Sequence, residues 1–118
     1  MTAQVLTPVQ LVPDGTGLDL TAQLAAPTQA TLQFANTGRE ILLVDASASA
    51  ETVTVDIGAL VLGETVSNFP AVTVPSGHVM AFGPFHSVVD QTGTSTVQVV
   101  LSTTTSITVG LIQTVGVY

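Results

Sequence analysis

The stretch Asn36-Thr37-Gly38-Arg39-Glu40-Ile41-Leu42-Leu43-Val44 decides the fold. It opens on a turn, because Asn and Gly adopt positive φ at the least steric cost. It then enters the run Ile41 to Val44, apolar on both faces, which marks a central strand rather than an edge. Upstream, Ala30 to Ala35 alternates around Leu32 and Phe34, which are expected to face inward. Downstream, Asp45 to Ala50 is a loop of small residues. Glu51 to Asp56 then alternates, with Val53 and Val55 inward and Thr52 and Thr54 outward.

The same reading extends to both ends of the chain. Ile57 to Val66 is a strand or a long connection, broken at Gly58 and Gly63. Pro70 to Val74 and His78 to Phe82 are strands joined by Pro75-Ser76-Gly77, which reads as a hairpin turn. Gly83-Pro84-Phe85 is a bend in which Pro84 cannot donate a ladder hydrogen bond and Phe85 can plug the core. Asp90-Gln91-Thr92-Gly93 is a further turn. Thr96 to Leu101 and Ser106 to Ile112 read as a last hairpin around Ser102-Thr103-Thr104-Thr105. Val97, Val99 and Leu101 share one face, and Ile107, Val109 and Leu111 share another. Toward the N-terminus, Gln4 to Val12 is extended, with an edge or kink at Thr7-Pro8. Pro13 to Gly17 is a loop, and Leu18 to Ala26 is a short helix or an irregular arm stopped by Pro27.

Short strands with turn signals about every ten residues predict an all-β fold, a single antiparallel β-sandwich of jelly-roll or Ig-like type. No helical pattern alternates with the strands, which argues against a parallel α/β sheet. The chain of 118 residues reads as one domain, with its sandwich core over 30–112. Residues 1–27 form a candidate N-terminal arm and 113–118 a C-terminal extension. Each end is either an arm on a neighbouring subunit or an ordinary edge or terminus.

Composition removes several function classes. Arg39 is the single basic residue and the formal net charge is −7. Displacing counterions from a phosphate backbone takes several Lys or Arg, so no nucleic-acid partner is expected. The apolar runs fall well short of the roughly 20 residues of a membrane span, and no signal peptide is apparent. With no cysteine there is neither disulfide nor thiolate chemistry. The 19 Thr and 19 Val are β-branched and suit pleated strands.

Catalytic and metal signals are sparse. His78 and His86 are the only histidines, and Gly83-Pro84 interrupts any strand joining them. Each reads as a surface or interface residue rather than a ligand. No Gly-x-Ser-x-Gly elbow occurs. Asp45, Glu51, Asp56, Glu64 and Asp90 fall in separate turns or strand ends, unlike a glycosidase pair. The loop Asp14-Gly15-Thr16-Gly17-Leu18-Asp19 holds two carboxylates that a Ca²⁺ ion can use, but it lacks the EF-hand spacing and reads as an ordinary acidic loop. No cofactor or metal is expected. A carbohydrate-binding module would want exposed Trp or Tyr platforms, and the chain has no Trp and one Tyr. Arg39, beside Glu40, makes either one specific ion pair at an interface or a local surface pair worth under about 1 kcal/mol.

In order and spacing, residues 30 to 112 resemble the small head decoration (capsid cement) proteins of tailed bacteriophages. The resemblance rests on Phe34 ending a strand and on Asn36, Gly38 and Arg39 leading an apolar strand. It continues through the 45–50 loop, Thr52 to Val55, Thr73-Val74-Pro75-Ser76-Gly77, Gly83-Pro84-Phe85 and two closing strands. The chain departs from that pattern at Val88-Val89-Asp90-Gln91, where an aromatic is expected, and in running past the usual C-terminal end. The resemblance implies a non-enzymatic virion protein on the outer surface of the phage head, with the major capsid protein as partner. It also implies homo-oligomers, trimers being favoured. Arg39, Glu40, Pro84, Phe85 and Tyr118 are the candidate capsid or subunit interface. A head–tail connector, a tail-associated subunit and a ligand-binding sandwich are the competing readings.

Overall fold

Period-two alternation resolves into two packed sheets. The computed structural model describes residues 3–11, 15, 17–56, 60–61, 64–65, 70–85 and 95–114, with backbone alone at 60–61 and 64–65. One sheet has the order β1 (Gln4–Val5), β3 (Thr31–Ala35), β10 (Thr96–Leu101), β5 (Glu51–Asp56), β8 (Val72–Val74). The other has β2 (Val9–Gln10), β11 (Thr108–Gln113), β4 (Glu40–Ala46), β9 (His78–Phe82). β6 (Leu60–Val61) and β7 (Glu64–Thr65) form a separate two-stranded ribbon. The expected all-β sandwich is the architecture of the chain.

The core lies where the inward residues of both sheets meet. Leu32, Phe34, Val53, Val74, Val97, Val99 and Leu101 come from the five-stranded sheet. Leu42, Val44, Ala46, Val109 and Leu111 come from the four-stranded one, with Ile107 just before β11. β4 sits between β11 and β9, as an apolar run on both faces requires. Its outward Leu43 is as hidden as its inward residues, 5% exposed.

Both sheets are mixed rather than wholly antiparallel. β1 runs parallel to β3 and β2 runs parallel to β11; the other pairings among the described strands are antiparallel. The extended segment expected at Gln4 to Val12 breaks between β1 and β2, around Thr7-Pro8, and each half joins a different sheet of its own chain. Leu6 N–H donates to the Gln33 carbonyl at 2.8 Å, and Leu11 N–H to the Gln113 carbonyl at 2.9 Å. Of the segment expected to be a helix or arm, Thr21–Gln23 is a single 3-10 turn, followed by a bridge of Ala25 to Val109.

Two expected hairpins are not formed. β8 and β9 belong to opposite sheets, so Pro75-Ser76-Gly77 is an arch over the sandwich edge; β10 and β11 are likewise split around 102–107. The turn residues are the ones a hairpin uses, with Gly77 at φ +78. Alternation tells which face of a strand must be covered, not whether its neighbour in sequence pairs beside it or packs opposite it.

Gly110 carries a close approach that strand alternation alone does not anticipate. A Cβ there would lie 2.5 Å from the Gln23 carbonyl oxygen, so the 3-10 turn rests directly on the β11 backbone. Glycine inside a strand often marks such an approach. Gly110→Ala is expected to lift this turn, costing about 1–3 kcal/mol as overpacking does. Hydrogen exchange reads it out: the Ala25 N–H, which donates to the Val109 carbonyl at 2.9 Å, should lose protection before the core does. Unchanged protection there would show that the turn does not depend on this contact.

Candidate functional site

Three of the segments that carry the sequence pattern, Phe34, Asn36 to Arg39 and Gly83 to Phe85, meet at one corner of the sandwich, whereas the 45–50 loop and the 75–77 arch lie at the other end of β4 and β9. Asn36-Thr37-Gly38 forms the turn into β4. Asn36 Oδ1 accepts the Gly38 N–H at 3.0 Å, and Gly38 takes φ +84, a conformation glycine adopts without strain. The Asn36 N–H donates to the Ser95 carbonyl at 2.7 Å, tying the turn to the start of β10.

Glu40 lies inside this corner. It occupies the first position of β4 and shares the inward period of Leu42 and Val44, which leaves it 1% exposed. Its carboxylate accepts the Thr37 N–H and the Thr37 hydroxyl, each at 2.7 Å, and a hydrogen bond from Gln113 Nε2. Gln113 Nε2 also reaches Thr37 Oγ1 at 3.3 Å, while Gln113 Oε1 accepts from Gln10 Nε2 at 2.8 Å. The chain Gln10–Gln113–Glu40–Thr37 thereby joins β2, β11, β4 and the turn. Burial alone pushes the Glu40 carboxyl up. The hydrogen bonds from the Thr37 side chain and backbone, from Gln113 and from the Arg39 N–H outweigh it, so the group titrates below its ordinary range.

The second half of the corner is Gly83-Pro84-Phe85. Phe85 turns back into the core, 8% exposed, with its ring centroid 5.5 Å from that of Phe34 and the planes inclined at 57°. Gly83 makes room for this. A Cβ on it would stand 2.7 Å from the Glu40 carbonyl oxygen and 3.0 Å from the Phe85 ring, and its φ of +117 disfavours any other residue.

The expected contact residues therefore divide. Glu40 and Phe85 are buried in their own chain and are corrected from surface contacts to structural ones: the strand period turns Glu40 inward, and the bend drives Phe85 onto Phe34. The Glu40 carboxylate faces Thr37 and Gln113 instead of the Arg39 guanidinium, with the Arg39 backbone N–H alone reaching it. Arg39 and Pro84 are exposed on the outside of the corner. Tyr118 lies outside the described residues. Gln113 and Gln10 belong to the network yet carry no sequence signal, being 73 and 30 positions from Glu40.

The other candidates find ordinary roles. In the acidic loop, the Asp19 carboxylate accepts the Thr21 N–H at 3.1 Å and so starts the 3-10 turn; Asp14 and Thr16 are outside the described residues. His78 is exposed on β9, and His86 is outside the described residues. The Glu51 carboxylate accepts from the hydroxyls of Ser102, at 2.7 Å, and Ser49, at 2.8 Å. No group of three His, Cys, Asp or Glu side chains comes together among the described residues. No helix among them is long and apolar enough to cross a membrane.

The outward face of the five-stranded sheet is an ordered polar surface. Register sets Val5, Gln33, Gln98 and Asp56 in one row across β1, β3, β10 and β5, and Thr31, Val100 and Thr54 in the next. Gln98 Nε2 donates to Gln33 Oε1 at 3.3 Å, an amide pair across strands. Asp56 is the single charged residue of these rows. No family model, curated protein or solved structure matches the chain.

Proposed function

We propose that the chain is a non-enzymatic structural protein that decorates the outside of a phage head and stabilises it through contacts with the major capsid protein. The observation that carries this reading is the corner itself. Phe34, Asn36-Thr37-Gly38-Arg39 and Gly83-Pro84-Phe85, which bear the resemblance to capsid decoration proteins, are far apart in sequence and pack as one unit in space. That supports reading them as one structural unit rather than unrelated turn residues. The hydroxyl- and amide-rich face of the five-stranded sheet suits a contact surface repeated by symmetry. A preorganised sheet loses little freedom on docking, and small contacts multiply when a lattice repeats them. Self-association into a homo-oligomer belongs to the same proposal.

The test is the molar ratio of this chain to the major capsid protein in purified particles, by quantitative mass spectrometry. A ratio near unity or a simple fraction of it is expected, because a lattice-wide decorator follows capsid symmetry. A ratio near about one per hundred would move the protein to the neck or tail, where symmetry allows few copies. Absence from particles would end the virion reading.

A further inference from the structure

Among the described strands the sandwich has four edges, and three of them are blunted. β1 and β2 are two residues each, with Pro8 in the short connection between them; β8 is three residues, bounded by Pro70 two residues before it and Pro75 directly after it. Short edges, proline and charge are the devices by which natural sheets avoid pairing with other chains. Within its own span β9 has none of these, although Pro84 stands two residues beyond it. It runs five residues, His78-Val79-Met80-Ala81-Phe82, without proline, lysine or an acid, and no described strand pairs with its outer side. Val79 on this strand is 55% exposed, although the whole strand pairs with β4.

We propose that β9 is an edge contact through which two copies of this chain pair antiparallel across a two-fold axis, joining their four-stranded sheets into one. The occupant is a second copy because the edge is uncharged and self-complementary. Centred on Met80, the pairing sets Val79 beside the second copy's Ala81, large against small on the outward face. It also sets His78 beside the second copy's Phe82. The net charge of −7 on each copy repels at long range, but the acid nearest the joint, Asp45, is kept away from its counterpart by the register. Asp45 is the register partner of Val79, and Leu43 is the register partner of Ala81. The row across the joint thus reads Asp45, Val79, Ala81, Leu43, so the two Asp45 side chains fall in different rows. They stand three strand spacings apart laterally, about 14 Å, beyond the screening length at ordinary salt. Backbone hydrogen bonds supply the attraction in such strand additions, so a small area suffices. The proposal goes beyond the capsid reading, which the particle ratio tests separately.

The experiment is sedimentation equilibrium of the full chain over a wide concentration range, with Val79→Lys and, on the sheet face away from β9, Thr54→Lys. Circular dichroism confirms that each variant is folded. The parent chain is expected to form dimers, Val79→Lys to weaken them by about tenfold or more as a charged edge does, and Thr54→Lys to leave them unchanged. A parent that stays monomeric at the highest concentration, a trimer indifferent to Val79→Lys, or equal loss in both lysine variants would overturn it. The trimer result would favour the three-fold assembly that the family resemblance implies.

Discussion

Phe34→Ala is expected to lower stability by about 3–5 kcal/mol, the usual cost of removing a fully buried aromatic from a core that cannot collapse to fill the space. Phe34 is 0% exposed and stands among the inward residues of both sheets, so little around it can move. Set against a total stability of about 5–15 kcal/mol, this is a large share, and a fall in Tm of about 10–20 °C should follow. Phe85→Ala should cost less, because its ring keeps 8% exposure at the bend. Their tilted contact at 5.5 Å predicts a coupling of about 0.5–1.5 kcal/mol in a double-mutant cycle. Thermal unfolding of the four proteins measures it. Strict additivity would mean that the bend at 83–85 is held by its backbone and not by the rings.

Glu40 is the second site of large effect. Glu40→Ala removes the acceptor of the Thr37 N–H, the Thr37 hydroxyl and the Gln113 amide at once, leaving one buried and two part-buried donors without that partner. A loss of about 2–4 kcal/mol is expected, since each buried orphan donor costs about 1–3 kcal/mol and part of the set can turn to water. The pH dependence has a definite sign. The folded-state carboxyl titrates below its unfolded value, so near pH 4 the unfolded chain binds more protons than the native one. The stabilisation is complete above the ordinary carboxylate range of about 4.3 and fades as pH falls through the lower, folded value. Glu51 acts in the same direction, lowered first by the Ser102 hydroxyl and then by Ser49, against a small opposing effect of burial. Denaturant melts between pH 7 and pH 2 should therefore show an acid-side loss that is smaller in Glu40→Gln. Glu51 contributes to the part that survives in that variant. An identical acid limb in Glu40→Gln and the parent would remove Glu40 from the account.

Much of this corner is legible in the amino-acid sequence. The alternation around Leu32 and Phe34 places both inside, Asn36-Thr37-Gly38 signals its turn, and Ile41 to Val44 signals a central strand. These signals are local: each depends on side-chain period or on positive φ within a few residues. What stays hidden depends on distance along the chain. Glu40 reads as half of a surface pair because its charge suggests solvent, and nothing nearby in sequence reveals that Gln113 meets it. The arches at 75–77 and 102–107 read as hairpins because the same turn residues serve both. Gly110 does carry a signal, a glycine in the middle of an apolar strand, and close backbone approach is the physical reason for it.

The parallel pairing of β2 with β11 has a mechanical meaning. The first of these strands lies near the beginning of the chain and the second near its end, and they run in the same direction with Val9 opposite Ile112 and Gln10 opposite Gln113. Tension applied just before β2 and just after β11 pulls the two strands along their own axes in opposite senses. Their backbone hydrogen bonds are then loaded together in shear instead of being peeled one at a time, and the Gln10–Gln113 amide bond lies across the same slip plane. A pairing latched in this way resists sliding along its strands better than one whose hydrogen bonds open one after another.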